Sequence, residues 1–119
     1  IKIIKKNTNL KIYNYHIIDG FYEKSLTDDL RLKMPKIGML HIDVDLYSST
    51  TCLLKFVKPL LVNGSLILFD DWYCFKPGIK QNQGEQKAVK EFLEVNKNIK
   101  LLPWKAYSTF GQSFFVEIY

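Results

Sequence analysis

Met39-Leu40-His41-Ile42-Asp43-Val44-Asp45-Leu46-Tyr47-Ser48-Ser49-Thr50 joins an apolar run to a helix start. Ile37 to Val44 is apolar at nearly every position, the pattern of a central parallel strand with helices on both faces of its sheet. Asp43 and Asp45 stand where that run stops. They are two residues apart, so on an extended backbone both carboxylates leave from one face, and His41 shares it. A second apolar run, Ser65 to Phe69, ends in the same way at Asp70-Asp71. Adjacent strands lie about 4.8 Å apart, so acids at two neighbouring strand ends can reach one cation.

Working outward, Ser48 or Ser49 is the expected cap of a helix whose apolar stripe is Leu53, Phe56, Val57 and Leu60, strained or ended by Pro59. Asn63-Gly64 predicts a left-handed turn into the second strand. Trp72 to Gly84 is polar and aromatic with Pro77-Gly78 at its centre, and reads as a long, lid-like loop. Glu85 to Asn96 is amphipathic, with Ala88, Val89, Phe92 and Val95 on one face. Leu101–Trp104 and Ser113–Ile118 read as strands joined by a segment too short for a helical crossover, which predicts one antiparallel edge strand. Upstream, Ile1–Lys6 reads as the end of a helix and Leu10–Ile18 as a strand. Phe21–Arg31 reads as a short helix with Ser25, Thr27 or Asp28 as its cap. Strands alternating with helices predict a single α/β domain over residues 1–119, mostly parallel.

With 119 residues, 47% of them hydrophobic, the chain can bury a core and is too short for two domains. Its formal charge of +5 comes from lysines scattered over several elements, with no basic run interleaved with aromatics, which argues against a nucleic-acid partner. No run approaches the roughly 18 apolar residues of a membrane span, and no signal-peptide pattern opens the chain, so no membrane association and a cytoplasmic location are expected. Cys52 and Cys74 lack C-x-x-C spacing and read as unpaired thiols. Asn63-Gly64-Ser65 matches a glycosylation sequon but reads as a turn.

Three segments together resemble the C-terminal half of the macrocin-type O-methyltransferases. They are His41-Ile42-Asp43-Val44-Asp45-Leu46-Tyr47-Ser48-Ser49-Thr50, Val62 through Asp70-Asp71-Trp72, and Gly84 with Ala88-Val89-Lys90-Glu91-Phe92. Ile18-Asp19-Gly20-Phe21-Tyr22-Glu23-Lys24-Ser25-Leu26 is similar to that family's glycine-aromatic segment. The resemblance implies a partial Rossmann-like class I methyltransferase sheet, with S-adenosylmethionine as cofactor and a divalent metal. It also implies a small-molecule hydroxyl acceptor, sugar-like among the possibilities. The family's glycine-rich donor loop has no counterpart before Leu10. The 119 residues are therefore expected to be part of a longer chain, to bind the donor weakly and to lack activity alone. An unpaired sheet edge predicts a homodimer or higher homo-oligomer.

The chemistry can also be read from the residues. An all-oxygen ligand set favours a hard ion, Mg2+ first, with Asp43, Asp70 and Asp71 as the expected ligands. Such an ion would hold a substrate hydroxyl, with Asp45 or His41 assisting proton removal. His41 and Asp43 are the residues expected to reach the methyl donor. The competing readings are a hydrogen-bonded core histidine, aspartates that cap strand ends and helix N-termini, and a non-catalytic interaction module derived from the same fold.

Overall fold

The computed structural model describes residues 16–74 and 83–119. In chain order they form helices α1 (Tyr22–Ser25) and α2 (Asp28–Leu32), strand β1 (Ile37–Ile42) and helix α3 (Tyr47–Val57), which runs into a 3-10 turn at Lys58–Leu60. Strand β2 (Leu61–Phe69), helix α4 (Gly84–Val95) and strands β3 (Ile99–Ala106) and β4 (Gln112–Ile118) follow. The helix end expected at Ile1–Lys6 and most of the Trp72–Gly84 loop lie outside the described residues. So does the strand expected over Leu10–Ile18, apart from residues 16–18, which are not in a strand. The single helix expected over Phe21–Arg31 is two, because the backbone leaves the helical region at Leu26 and Thr27 opens a new turn by accepting the Leu30 N–H at 3.2 Å. No helix among the described residues is long and apolar enough to cross a membrane.

The sheet order is β1-β2-β4-β3, with β1 and β2 parallel and β4 antiparallel to both of its neighbours. The one antiparallel strand is thus interior, not at the edge. A hairpin link over residues 107–111 turns β4 back, and it fills the side of β2 that β1 leaves free, which puts β3 on the border. β2 also begins four residues before the expected Ser65, so Asn63-Gly64 lies inside the strand and not ahead of it. The pairing slips there, from Ile37 opposite Leu61 to Met39 opposite Leu66, and Gly64 takes a φ of 84° that a side chain would resist. Ser65 closes the bulge: its Oγ donates to the Ile37 carbonyl at 2.6 Å and accepts the Val62 N–H at 2.9 Å.

One face of the sheet is covered by α3 and α4, burying Ile42, Ile67, Phe69, Phe114 and Val116 against Leu54, Ala88, Val89 and Phe92. The opposite face carries Met39, His41, Leu102, Trp104 and Phe115, all exposed, so β1 is covered on one face only among the described residues. Its continuous apolar run had predicted cover on both. The stripe of α4 differs as well. Val95 is 79% exposed, while Glu85 lies one turn before Ala88 and Val89 on the buried face.

Candidate active site

Because β1 and β2 run parallel, Ile42 lies opposite Phe69 and the two strands end side by side, with the Asp70 N–H donating to the Ile42 carbonyl at 2.9 Å. Everything that follows either strand is therefore delivered to one edge of the sheet. Three aromatic rings pack where β2 ends: Phe69 lies 5.1 Å from Trp72 and 5.8 Å from Phe114, and Trp72 lies 4.7 Å from Phe114.

Past β1 the chain must turn at once into α3. Asp45 takes a φ of 53°, a conformation that an aspartate tolerates better than most side chains, and the Leu46 N–H donates back to the Val44 carbonyl. α3 consequently starts at Tyr47 with Leu46 at its N-cap, and Ser48 and Ser49 fall inside the first turn, where neither caps it. The turn keeps Asp45 beside Asp43. One carboxylate oxygen from each of Asp43, Asp45 and Asp71 lies within 4.8 Å of the others.

Asp70 goes elsewhere. Asp70 and Asp71 lie in the turn that follows β2, where Asp71 faces Asp43 and Asp45 and Asp70 does not. Its Oδ1 lies 3.5 Å from His41 Nε2 and accepts the Tyr107 hydroxyl at 3.1 Å. Tyr107 also presents itself edge-on to His41, with ring centroids 6.3 Å apart. Of the acids expected to share an ion, Asp43 and Asp71 lie together with Asp45 in this geometry, and Asp70 stands with His41 in a separate group.

Crowding of the acids shows in the protonation of Asp45. Asp45 is pushed above the usual carboxylate range, first by its hydrogen bond and charge interaction with Asp71, then by desolvation and the charges of Asp43 and Asp70. Burial raises the Cys74 thiol to about 11, helped by its hydrogen bond to Asp71 Oδ1 at 3.1 Å. Burial and Asp70 likewise raise Tyr107. Asp71 Oδ2 is buried with no partner among the described residues. A cation between them would relieve three converging carboxylates that repel one another, one with an orphaned oxygen, and an all-oxygen set fits Mg2+ or Mn2+.

Beside the acids a cleft of about 350 Å³ runs between Asp43, Val44 and Leu46 on one side and Gly20, Phe21 and Tyr22 on the other. Asp43 borders this cleft.

Residues 6–105 match the sequence profile of macrocin-O-methyltransferase (TylF). The chain belongs to this family. Among solved structures, the O-methyltransferase NovP is similar with a TM-score of 0.71 and 19% identity, over 96% of this chain and 42% of NovP. CalS11, a TDP-rhamnose 3'-O-methyltransferase of calicheamicin biosynthesis, is similar with a TM-score of 0.59 and 20% identity, over 82% of this chain and 39% of CalS11. An O-methyltransferase from Bacillus cereus in complex with SAH gives a TM-score of 0.52 and 13% identity, over 82% of this chain and 47% of that one. No curated protein matches. The fold of this TylF-family chain is therefore a partial class I methyltransferase sheet, and the chain spans about two fifths of the length of NovP and CalS11.

Two residues at the site of this family member escape a reading of the strand ends. Glu85 is 1% exposed, and its Oε2 accepts the Asp71 N–H at 3.1 Å. Its spacing to Ala88, Val89 and Phe92 already marks it as a core-facing position, a signal masked by its charge. Tyr107 carries no such signal, because only the β3–β4 hairpin brings it to Asp70.

Proposed function

We propose that this chain supplies part of the active site of an enzyme that transfers a methyl group from S-adenosylmethionine to a hydroxyl of a small, sugar-like acceptor. Asp43, Asp45 and Asp71 would hold a divalent cation, Mg2+ in the first instance. The observation that carries the reading is the meeting of three carboxylates at the ends of two adjacent parallel strands, beside a cleft, in a chain of an O-methyltransferase family. The ion in that set would lower the pKa of the acceptor hydroxyl and hold its oxygen in place. His41 accepts the hydroxyl proton, and Asp70 at 3.5 Å faces the imidazolium that results. With Asp45 drawn into the carboxylate trio, His41 is the better base of the two considered. Asp43, on the wall of the cleft, also reaches the amino-acid end of the methyl donor, with His41 as the further candidate for that contact. A sugar-like acceptor is supported by the activity that the name of CalS11 carries.

The test is transfer of radiolabel from S-adenosylmethionine, catalysed by the full-length protein, to a panel of sugars, nucleotide-linked sugars and phenols. EDTA should abolish transfer and Mg2+ restore it, and Asp43→Asn and Asp71→Asn should each lower the rate by about a hundredfold or more. Transfer that survives EDTA would remove the metal from the mechanism. Donor binding without transfer to any acceptor would favour the non-catalytic module.

A further inference from the structure

Glu85 has no part in the chemistry just described, yet it is the most deeply buried charged side chain among the described residues, at 1% exposure. It sits in the first turn of α4, which follows the Trp72–Gly84 segment, and its partner lies on the other side of that segment: the N–H of Asp71, at 3.1 Å from Oε2. Its neighbour makes a second tie across the same gap. Gln86 Nε2 donates to the Trp72 carbonyl at 2.6 Å. Two consecutive residues of one helix thus grip the backbone of two consecutive residues just past the end of β2. The remaining oxygen of Glu85, Oε1, is buried without a partner among the described residues, an expensive arrangement for a group that only fills space.

We infer that Glu85 is a positioning residue for the acidic trio: by fixing the Asp71 peptide it aims the Asp71 carboxylate at Asp43 and Asp45 and not along β2. The inference rests on the metal reading above. Its physical basis is reach, since one hydrogen bond to the backbone of a ligand sets the direction of that ligand's side chain, and outer partners of this kind commonly change metal affinity by about ten- to a hundredfold when removed. The carboxylate charge is not what matters. A glutamine keeps the accepting oxygen at the same distance, whereas an aspartate keeps the charge and falls one methylene short.

Mn2+ binding to the full-length protein, followed by calorimetry and by the electron paramagnetic resonance of the bound ion, separates the two. Glu85→Gln is expected to bind Mn2+ within about threefold of the parent and Glu85→Asp about tenfold more weakly, with a broadened spectrum. Both variants would be compared at a temperature where circular dichroism shows them folded. The inference is overturned if Glu85→Asp binds like the parent, or if Glu85→Gln is as weak as Glu85→Asp. Since glutamine matches the shape of the buried side chain and carries no charge, Glu85→Gln should fold even if the aspartate variant does not, and a loss of Mn2+ affinity in it alone would be enough to reject the inference. Asp71→Asn is the control on the underlying reading. If it leaves Mn2+ binding intact, the metal assignment fails; if it abolishes binding while Glu85→Asp does not, only the positioning role fails.

Discussion

Asp45 serves two demands at once, a backbone turn and a carboxylate. Its φ of 53° favours residues that tolerate the left-handed region, and asparagine does so while alanine does not. Asp45→Asn and Asp45→Ala both remove the charge, so any difference between them belongs to the turn. Denaturant melts are expected to place the alanine variant about 1 kcal/mol below the asparagine variant. Calorimetry should show both with weakened Mn2+ binding. Equal stabilities would mean that the turn is held by its surroundings and not by residue 45. Asp70 and Asp71 divide in a comparable way, one facing His41 and Tyr107, the other facing Asp43 and Asp45. Asp70→Asn is accordingly expected to slow methyl transfer while leaving Mn2+ affinity within about twofold, and Asp71→Asn to lower both. Matching losses of Mn2+ affinity in the two variants would restore Asp70 to the ligand set.

At the scale of elements, α4 carries a pH dependence. Burial, reinforced by the charges of Asp71, Asp70 and Asp43, pushes Glu85 up to about 8 from its ordinary value of 4.5, although the Asp71 N–H opposes the shift. A raised acid favours the folded state while protonated, so its contribution is complete below pH 4.5 and is lost as pH rises through about 8. The melting temperature of the metal-free protein should fall across that window, with a shallower slope in Glu85→Gln. An unchanged slope would show that Glu85 stays charged in the fold. The same helix shows how far local pattern reaches. Ala88, Val89 and Phe92 were legible as its buried face, and the apolar runs ending in acid were legible as strands. Val95 fits the spacing, three residues after Phe92, but it is the last residue of α4 and lies exposed, and Glu85 was passed over because its charge masked a spacing that fits. The interior position of β4 and the approach of Tyr107 to Asp70 depend on how a hairpin folds back onto β2, which no local window contains. That Asp45, and not Asp70, groups with Asp43 and Asp71 depends on the turn that follows Phe69 and on the reversal at Asp45.

On the scale of the whole molecule, the outer edge of β1 has no strand partner among the described residues, and Met39 on it is 68% exposed. Unpaired apolar edges recruit partners, so light scattering is expected to find the 119-residue chain as a dimer or larger species, with a monomer at high concentration the contrary result. The sheet that carries this edge also sets the site, because the parallel pairing of β1 with β2 brings two sets of acids to one end. The most direct test of the trio is a crystal of the full-length protein soaked in Mn2+ and measured at the manganese absorption edge. One anomalous peak is expected, bounded by carboxylate oxygens of Asp43, Asp45 and Asp71, with Asp70 still turned to His41. No peak there at saturating Mn2+, or one bound by Asp70 in place of Asp45, would contradict it.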